Sequence, residues 1–291
     1  MASLERENPV APRPDPSAQG TRLAKGTYAQ IPPFALRVSG SGSIFIAIMS
    51  FLGFAKRVAN KGLRRYDHAV DRIDFVPSFE RLAHLLDRSS LAPRTVIDVG
   101  VADGTPWLYE RYPDAKFYLF DPTPQSLPHM QSWATRINAE VFNVALGRET
   151  GTLTLNIPPD HSGSSFFADA SGATKINGIT QALIRRFDEV CPPISGPALM
   201  KIDTQGAELM ILEGIGKRLS EIDCFIIETS SLQIYVNAPD FSDVMAFMMK
   251  HDFCFFDLIS LHRRPYDRTL ADIDAVFVPR NSRLRSELRW E

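Results

Sequence analysis

From about residue 78 onward, short continuous apolar runs alternate with stretches whose apolar residues recur three to four positions apart. Ser78 to Leu86 sets Phe79, Leu82, Leu85 and Leu86 on one helical face. The runs Thr95–Val99, Lys116–Phe120, Glu140–Val144, Ala198–Asp203 and Asp223–Glu228 read as strands. Between them, helices are expected from near Thr105, over Ser126–Arg136, over Gly206–Ile215 and over Phe241–His251. Gly151–Asn156 alternates with period two, as a strand with one exposed face does. Residues 160–197 are rich in Ser, Gly and Pro and give no assignment. The last two strands, Phe253–Ile259 and Asp274–Val278, have no long helix between them and should pair antiparallel. The pattern predicts an α/β domain: a mostly parallel sheet with helices on both faces and an antiparallel end.

Ahead of this domain the pattern changes. Residues 1–42 form a Pro-rich tail with few large apolar residues, expected to be disordered. Residues 43–90 are expected to form a helical extension, 91–280 the α/β domain and 281–291 a basic tail. Within the extension, the apolar stretch Ser43–Ala55 is followed by Lys56, Arg57, Lys61, Arg64 and Arg65. It is short for a bilayer span and stands behind too many prolines for an ordinary secretory signal. A helix packed on the domain or on a partner is expected first, then peripheral membrane contact through residues 43–65, then a true span. No internal repeat is visible.

Composition narrows the classes further. A 44% hydrophobic content over 291 residues is that of a globular chain with a sizeable core, and a net charge of −2 gives no basic surface for nucleic acid. Cys191, Cys224 and Cys254 have no metal-ligand spacing, and so sparse a count fits a reducing, cytoplasmic setting. Cys224 and Cys254 lie in apolar runs and read as buried thiols.

The candidate chemistry begins where the first strand ends, in Asp98-Val99-Gly100-Val101-Ala102-Asp103-Gly104. A glycine turn between strand and helix lets backbone approach a ligand and offers N–H groups to an anion. A dinucleotide fingerprint needs glycines at the positions held here by Gly100, Ala102 and Thr105. The missing third glycine disfavours a pyrophosphate and suits S-adenosyl-L-methionine, with Asp98 near the ammonium. In Phe120-Asp121-Pro122, Asp121 stands where a carboxylate would accept both ribose hydroxyls.

A second polar cluster lies further on. A central parallel strand should be apolar throughout, yet Lys201 and Asp203 interrupt Leu199–Asp203 on one face. Glu228 closes the next strand, so Asp98, Asp121, Asp203 and Glu228 would crowd the carboxyl edge of the sheet, where ligands gather.

At this point the chain resembles the FkbM family of S-adenosylmethionine-dependent methyltransferases over about residues 95–279. The resemblance rests on Val96–Gly100 to Gly104, on Phe120-Asp121-Pro122, and on Asn143-Val144-Ala145-Leu146-Gly147 leading to Gly151. It continues in Lys201–Glu208 with Leu212 and Gly214, in Glu228, and in Asp274–Val278. It implies the class I, Rossmann-like methyltransferase fold, with seven strands and the last antiparallel, and O-methylation of hydroxyls on sugars, glycans or secondary metabolites. It also implies a cofactor site that includes Asp98, Gly100, Ala102, Gly104, Asp121, Pro122, Asn143 and Val144. Two positions depart from the family pattern: Ala102, where Asn is frequent, and Gln205, where Glu is frequent. Gln205 keeps size and hydrogen bonding but cannot act as a base.

For methyl transfer to a small-molecule or glycan hydroxyl, Asp203 is the first candidate for the base, with Glu228 sharing the work. Lys201 would keep Asp203 ionised or stabilise an alkoxide, a buried ion pair with Asp203 or Glu208 being the structural alternative. Two neighbouring carboxylates could also chelate Mg²⁺, although no third ligand is visible. His161, in a loop that could close over the site, is a further candidate for proton removal, against a plain solvated histidine. Ser164 and Ser165 are candidates to hydrogen-bond the acceptor, or are turn residues. Trp107 and Tyr109 are read as core packing, with an aromatic over the cofactor as the alternative. His68, His84, His129, His251 and His262 show no pairing that suggests a metal site and are read as structural or exposed. Two other readings stay open: a nucleotide- or NAD-dependent enzyme acting on a sugar, and a non-catalytic interaction module of the same fold.

Overall fold

Strand β1 (Thr95–Val99) is buried along its whole length and pairs in parallel with β2 (Lys116–Phe120) on one side and β7 (Ala198–Ile202) on the other. The computed structural model describes residues 76–289. The Pro-rich tail and the basic-flanked apolar segment at 43–65 lie outside the described residues. Among those described, no helix is long and apolar enough to cross a membrane.

The main sheet has seven strands in the order β3-β2-β1-β7-β8-β10-β9. Strand β3 (Ala139–Phe142) extends it beyond β2, and β8 (Cys224–Ser230) pairs in parallel with β7. The chain then runs through β9 (Phe253–Arg263) at the edge and returns as β10 (Leu270–Pro279), antiparallel to both β8 and β9. This is the class I methyltransferase fold expected from the sequence. Its antiparallel strand is the last in the chain but lies between two others.

Alternation along each strand sends residues to two cores. Ile97, Val99, Met200, Ile202, Phe225 and Ile227 face the helices α4 (Phe187–Val190), α5 (Glu208–Ile215) and α6 (Phe241–Lys250). Val96, Phe117, Leu119, Leu199, Ile226 and Val276 face α1 (Phe79–Arg88), α2 (Pro106–Arg111) and α3 (Ser126–Ala134). Each such aliphatic or aromatic side chain contributes roughly 1.5–3 kcal/mol by leaving water. Helix α1 begins at an N-cap, where Ser78 Oγ accepts the Arg81 N–H, and buries Phe79, Leu82, Ala83 and Leu86. Although expected in the N-terminal extension, α1 is thus part of the domain's own core. Helix α6 starts at a reciprocal cap in which Asp240 accepts N–H bonds from Ser242 and Asp243 while Asp243 accepts one from Asp240.

A second sheet of three strands, β4-β6-β5, includes the period-two strand expected over Gly151–Asn156, while β4 and β6 lie outside the predicted pattern. The stretch expected as one strand over Glu140–Val144 ends at Phe142, and β4 (Ala145–Leu146) pairs instead with β6 (Gly178–Arg185). Strand β5 (Gly151–Ile157) runs antiparallel to β6. The loop between β5 and β6 reaches back to the carboxyl edge of the main sheet.

Candidate active site

Gly100 and Gly104 turn the chain out of β1 with φ of +83° and +114°, a region that L side chains rarely adopt. A Cβ on Gly100 would lie 1.7 Å from the Asp203 carbonyl oxygen, and one on Gly104 would lie 2.1 Å from Trp133 Nε1. Ala102, also left-handed at φ +47°, is held by its N–H, which donates to Asp121 Oδ2 at 2.9 Å. Asp121 Oδ1 accepts the backbone N–H of Thr123 at 2.8 Å and its hydroxyl at 2.6 Å. A carboxylate has about four lone-pair sites, so Asp121 keeps capacity for one further strong bond rather than the two expected for a ribose diol. Asn143 Nδ2 donates to the Asp121 and Thr123 carbonyls, at 2.7 and 3.2 Å, and thereby fixes the loop after β2.

These loops open on a cavity of about 570 Å³ at the carboxyl edge of the sheet. Gly100, Ala102, Gly104, Asp121, Pro122 and Val144 line one part of it, and Lys201, Asp203, Glu228 and His161 line another. Two of the expected cofactor residues do not reach it. Asn143 acts through the loop it braces. Asp98 is fully buried beneath the turn, accepting bonds from the Thr105 hydroxyl at 2.8 Å and from the Tyr109 phenol. Tyr109 is therefore a buried brace, with its ring edge-on to Trp133 at 4.9 Å, whereas Trp107 packs on Phe79 and does line the cavity.

The charged residues of the cavity form a row across four strands of the main sheet. Lys201 Nζ lies 2.9 Å from Asp203 Oδ2 and 3.9 Å from Asp98 Oδ1, an oxygen with no hydrogen-bond partner among the described residues. Glu228 and Asp274 are cross-strand partners, and Asp274 in turn pairs with Ser260, which donates to its carboxylate. His262 follows, with Nε2 at 3.1 Å from Ser260 Oγ. Burial works against the charge on Lys201, but Asp203 and then Asp98 more than offset it and hold the ammonium above its usual range. Burial also opposes ionisation of Asp203, yet the Lys201 ammonium and a hydrogen bond from Glu228 keep it below the usual carboxylate range. Glu228 goes the other way: burial and the negative charge of Asp203 push it up to about 10. Asp98 and Asp274 are both raised, chiefly by burial. At neutral pH the Asp203–Glu228 pair thus shares one proton, and burial together with the Lys201 ammonium beside Asp203 favours its residence on Glu228.

The loop after β5 closes one side. His161 opens a short 3₁₀ turn (His161–Gly163) whose first N–H groups are capped by Asp160, and Ser164 Oγ donates to the His161 carbonyl at 2.7 Å. Ser165 is a turn residue, its hydroxyl donating to the Gln205 carbonyl at 2.7 Å. Gln205, with φ +55°, accepts the Tyr235 phenol at 2.9 Å through its side-chain carbonyl and has no role as a base.

Asp274, Ser260 and His262 belong to the cavity wall and were not among the expected site residues. Asp274 was legible by the signal that marked Lys201, a charge inside the apolar run Ile273–Val278. Of the histidines read as showing no metal-site pairing and as structural or exposed, His262 is exposed but belongs to the cavity wall, whereas His129 does have an acidic neighbour, Asp103, at 3.3 Å.

A model of the family described as the methyltransferase FkbM domain matches residues 98–255. No curated protein matches the chain. Similar solved structures include a methyltransferase FkbM from Methylobacillus flagellatus KT, at 16% identity and TM-score 0.40, covering 64% of this chain and 43% of its own. The chain therefore spans less than half of that protein. An rRNA methylase from Streptococcus thermophilus matches at 13% identity and TM-score 0.38, covering 73% of this chain and 99% of its own. A magnesium protoporphyrin IX methyltransferase from Synechocystis PCC 6803, solved with bound SAM, matches at 12% identity and TM-score 0.37, covering 78% of this chain and 96% of its own.

Proposed function

The chain belongs to the family of FkbM methyltransferase domains, and on that premise we propose that it transfers a methyl group from S-adenosyl-L-methionine to a hydroxyl of a sugar, glycan or secondary metabolite. One observation carries this reading: a single cavity is lined by the Gly100–Gly104 turn with Asp121 and, elsewhere on its wall, by the Lys201, Asp203 and Glu228 row. The cofactor supplies, when bound, a methyl group on a positively charged sulfur.

The residues present fit that group. The turn offers backbone that a side chain at Gly100 or Gly104 would obstruct. Asp121 retains one acceptor site for a ribose hydroxyl, and Val101 and Val144 give apolar wall for a purine. Asp203 is the base. Held ionised by Lys201, it is a weak one, but a hydroxyl becomes strongly acidic as its oxygen gains the methyl group, so position matters more than strength. The hydroxyl proton passes to Asp203, while Glu228 keeps its own proton and donates toward Asp203. Asp274, Ser260 and His262 extend the wall with donors and acceptors, which favours a polyhydroxylated acceptor over an apolar one.

Calorimetric titration of the full chain with S-adenosylmethionine and its demethylated product tests the reading. Saturable binding of both is expected. Absence of heat and of any melting shift with either, alongside a shift with NAD, would overturn it in favour of a dinucleotide enzyme. The acceptor class is checked by comparing metabolites with and without the gene, where features lighter by one methyl should accumulate.

A further inference from the structure

We infer that Asp103, His129 and His161 form a binding site for a divalent first-row transition metal of the Zn²⁺ type, which latches the β5–β6 loop over the cavity. The residues come from three separate elements: the glycine turn, helix α3 and the 3₁₀ turn of the loop. Their ligand atoms all lie within 4.8 Å of one another. Asp103 Oδ1 is 3.2 Å from His161 Nε2 and 3.3 Å from His129 Nε2. Bonds of about 2.0–2.1 Å to a tetrahedral ion put neighbouring ligand atoms about 3.4 Å apart, so both separations match an edge of the coordination polyhedron.

A second observation points the same way. His161 Nε2 is buried and has no hydrogen-bond partner within the described residues. A buried polar nitrogen that makes no hydrogen bond is costly even beside the Asp103 carboxylate, and a metal ion held between the two would satisfy it. The His129 and His161 rings are nearly parallel, at an interplanar angle of 16°, so both Nε2 atoms can approach the same carboxylate oxygen.

Each ligand is also braced from behind. Trp133 lies one helical turn after His129 and donates from Nε1 to the Asp103 carbonyl at 3.0 Å, so one face of α3 fixes both ends of Asp103. The Asp160 cap and the Ser164 bond hold the turn that carries His161. Two imidazoles and one carboxylate suit Zn²⁺, Co²⁺ or Ni²⁺ and not Mg²⁺ or Ca²⁺, which take oxygen ligands. The fourth position is left to water.

The consequence follows from the loop's position. His161, Ser162, Ser164 and Phe166 line the cavity, so an ion that ties His161 to α3 and the glycine turn holds that wall closed. The metal site stands without the cofactor; its effect on cofactor exchange rests on the function proposed above.

Zn²⁺ is titrated calorimetrically into the full chain, freed of metal by chelator and without cofactor, and Mg²⁺ is titrated as a control. Saturable binding of a single Zn²⁺ per chain is expected, with no response to Mg²⁺. His129→Ala is the decisive variant, because His129 is half exposed and does not line the cavity. It and Asp103→Asn should each weaken Zn²⁺ binding by about tenfold or more. Hydrogen exchange of amides 160–166 should slow with Zn²⁺ in the parent chain and not in His129→Ala. Absence of saturable binding, or binding unchanged in both variants, overturns the site. Binding without slowed exchange overturns the latch. Since no cofactor is present, these outcomes are independent of whether S-adenosylmethionine binds.

Discussion

The ammonium of Lys201 stands 2.9 Å from the Asp203 carboxylate, on a strand whose other members are all apolar. Lys201 is only 6% exposed, so its charge exists because two carboxylates face it. Lys201→Met leaves those carboxylates without their cation and should destabilise the fold by on the order of 3 kcal/mol. Lys201→Met combined with Asp203→Asn should lose less than the sum of the single changes, with a coupling of about 1–3 kcal/mol in urea denaturation. Strict additivity would mean that the contact carries no net energy.

The unequal protonation of the acid pair makes two conservative variants diverge. Asp203→Asn removes the group that receives the proton and should lower kcat by about 10²–10⁴. Glu228→Gln imitates a carboxyl that already holds its proton at neutral pH and should leave kcat within about tenfold of the parent. Affinity for S-adenosylmethionine should change little in either, since the cofactor is assigned to the turn and Asp121. If Glu228→Gln proves the more damaging, the base assignment must be exchanged.

Gly104→Ala probes the turn. Its Cβ would meet the indole of Trp133 at a φ of +114°, so either the ring or the turn must move. Movement of the turn spoils the cofactor bed, and affinity for the demethylated cofactor should fall by about tenfold or more, or roughly 1.4 kcal/mol. Calorimetry on the variant checks this. Unchanged affinity would place the cofactor away from residues 100–104.

Much of this arrangement was legible in the sequence because buried strands leave few ways to write them. The runs Thr95–Val99, Ala198–Ile202 and Cys224–Glu228 are apolar apart from Thr95 at the entry of the first and Asp98, Lys201 and Glu228 towards the carboxyl ends, and these three charged exceptions are connected to the polar row. Of the second sheet only β5 was legible, from its period-two alternation. In β6, Ile179 and Leu183 face solvent while Ala182 and Ile184 face the core, so apolar residues stand on both faces and no period survives. Asp98 misled for a different reason. An acid two residues before a glycine turn looks the same in sequence whether it faces ligand or core, and here Tyr109 and Thr105 claim it. His129 and His161 are 32 residues apart along the chain, and only the packing of a loop from the second sheet brings them together.

Glu208 carries a prediction about pH. It is 3% exposed, and its Oε1 accepts the Gly206 N–H at 2.9 Å and the Thr204 hydroxyl at 3.1 Å, bracing the turn that follows Asp203. Burial outweighs both bonds and raises it from 4.5 to about 7. A raised carboxyl means that the folded chain binds a proton that the unfolded chain releases, so its stabilising contribution is complete below about pH 4.5 and is lost as pH rises through 7. Glu208→Gln keeps an acceptor at Oε1 and has no proton to lose. The difference in unfolding free energy between parent and variant should therefore shift against the parent by on the order of 2–3 kcal/mol across that window, then level off. The ionisation of Asp203 and Glu228 is common to both proteins and largely cancels in the comparison. Urea denaturation at intervals from pH 4.5 to 8.5 (a range set by the expected window) measures the shift. Parallel profiles would show that Glu208 is already ionised when folded, with the two hydrogen bonds outweighing burial.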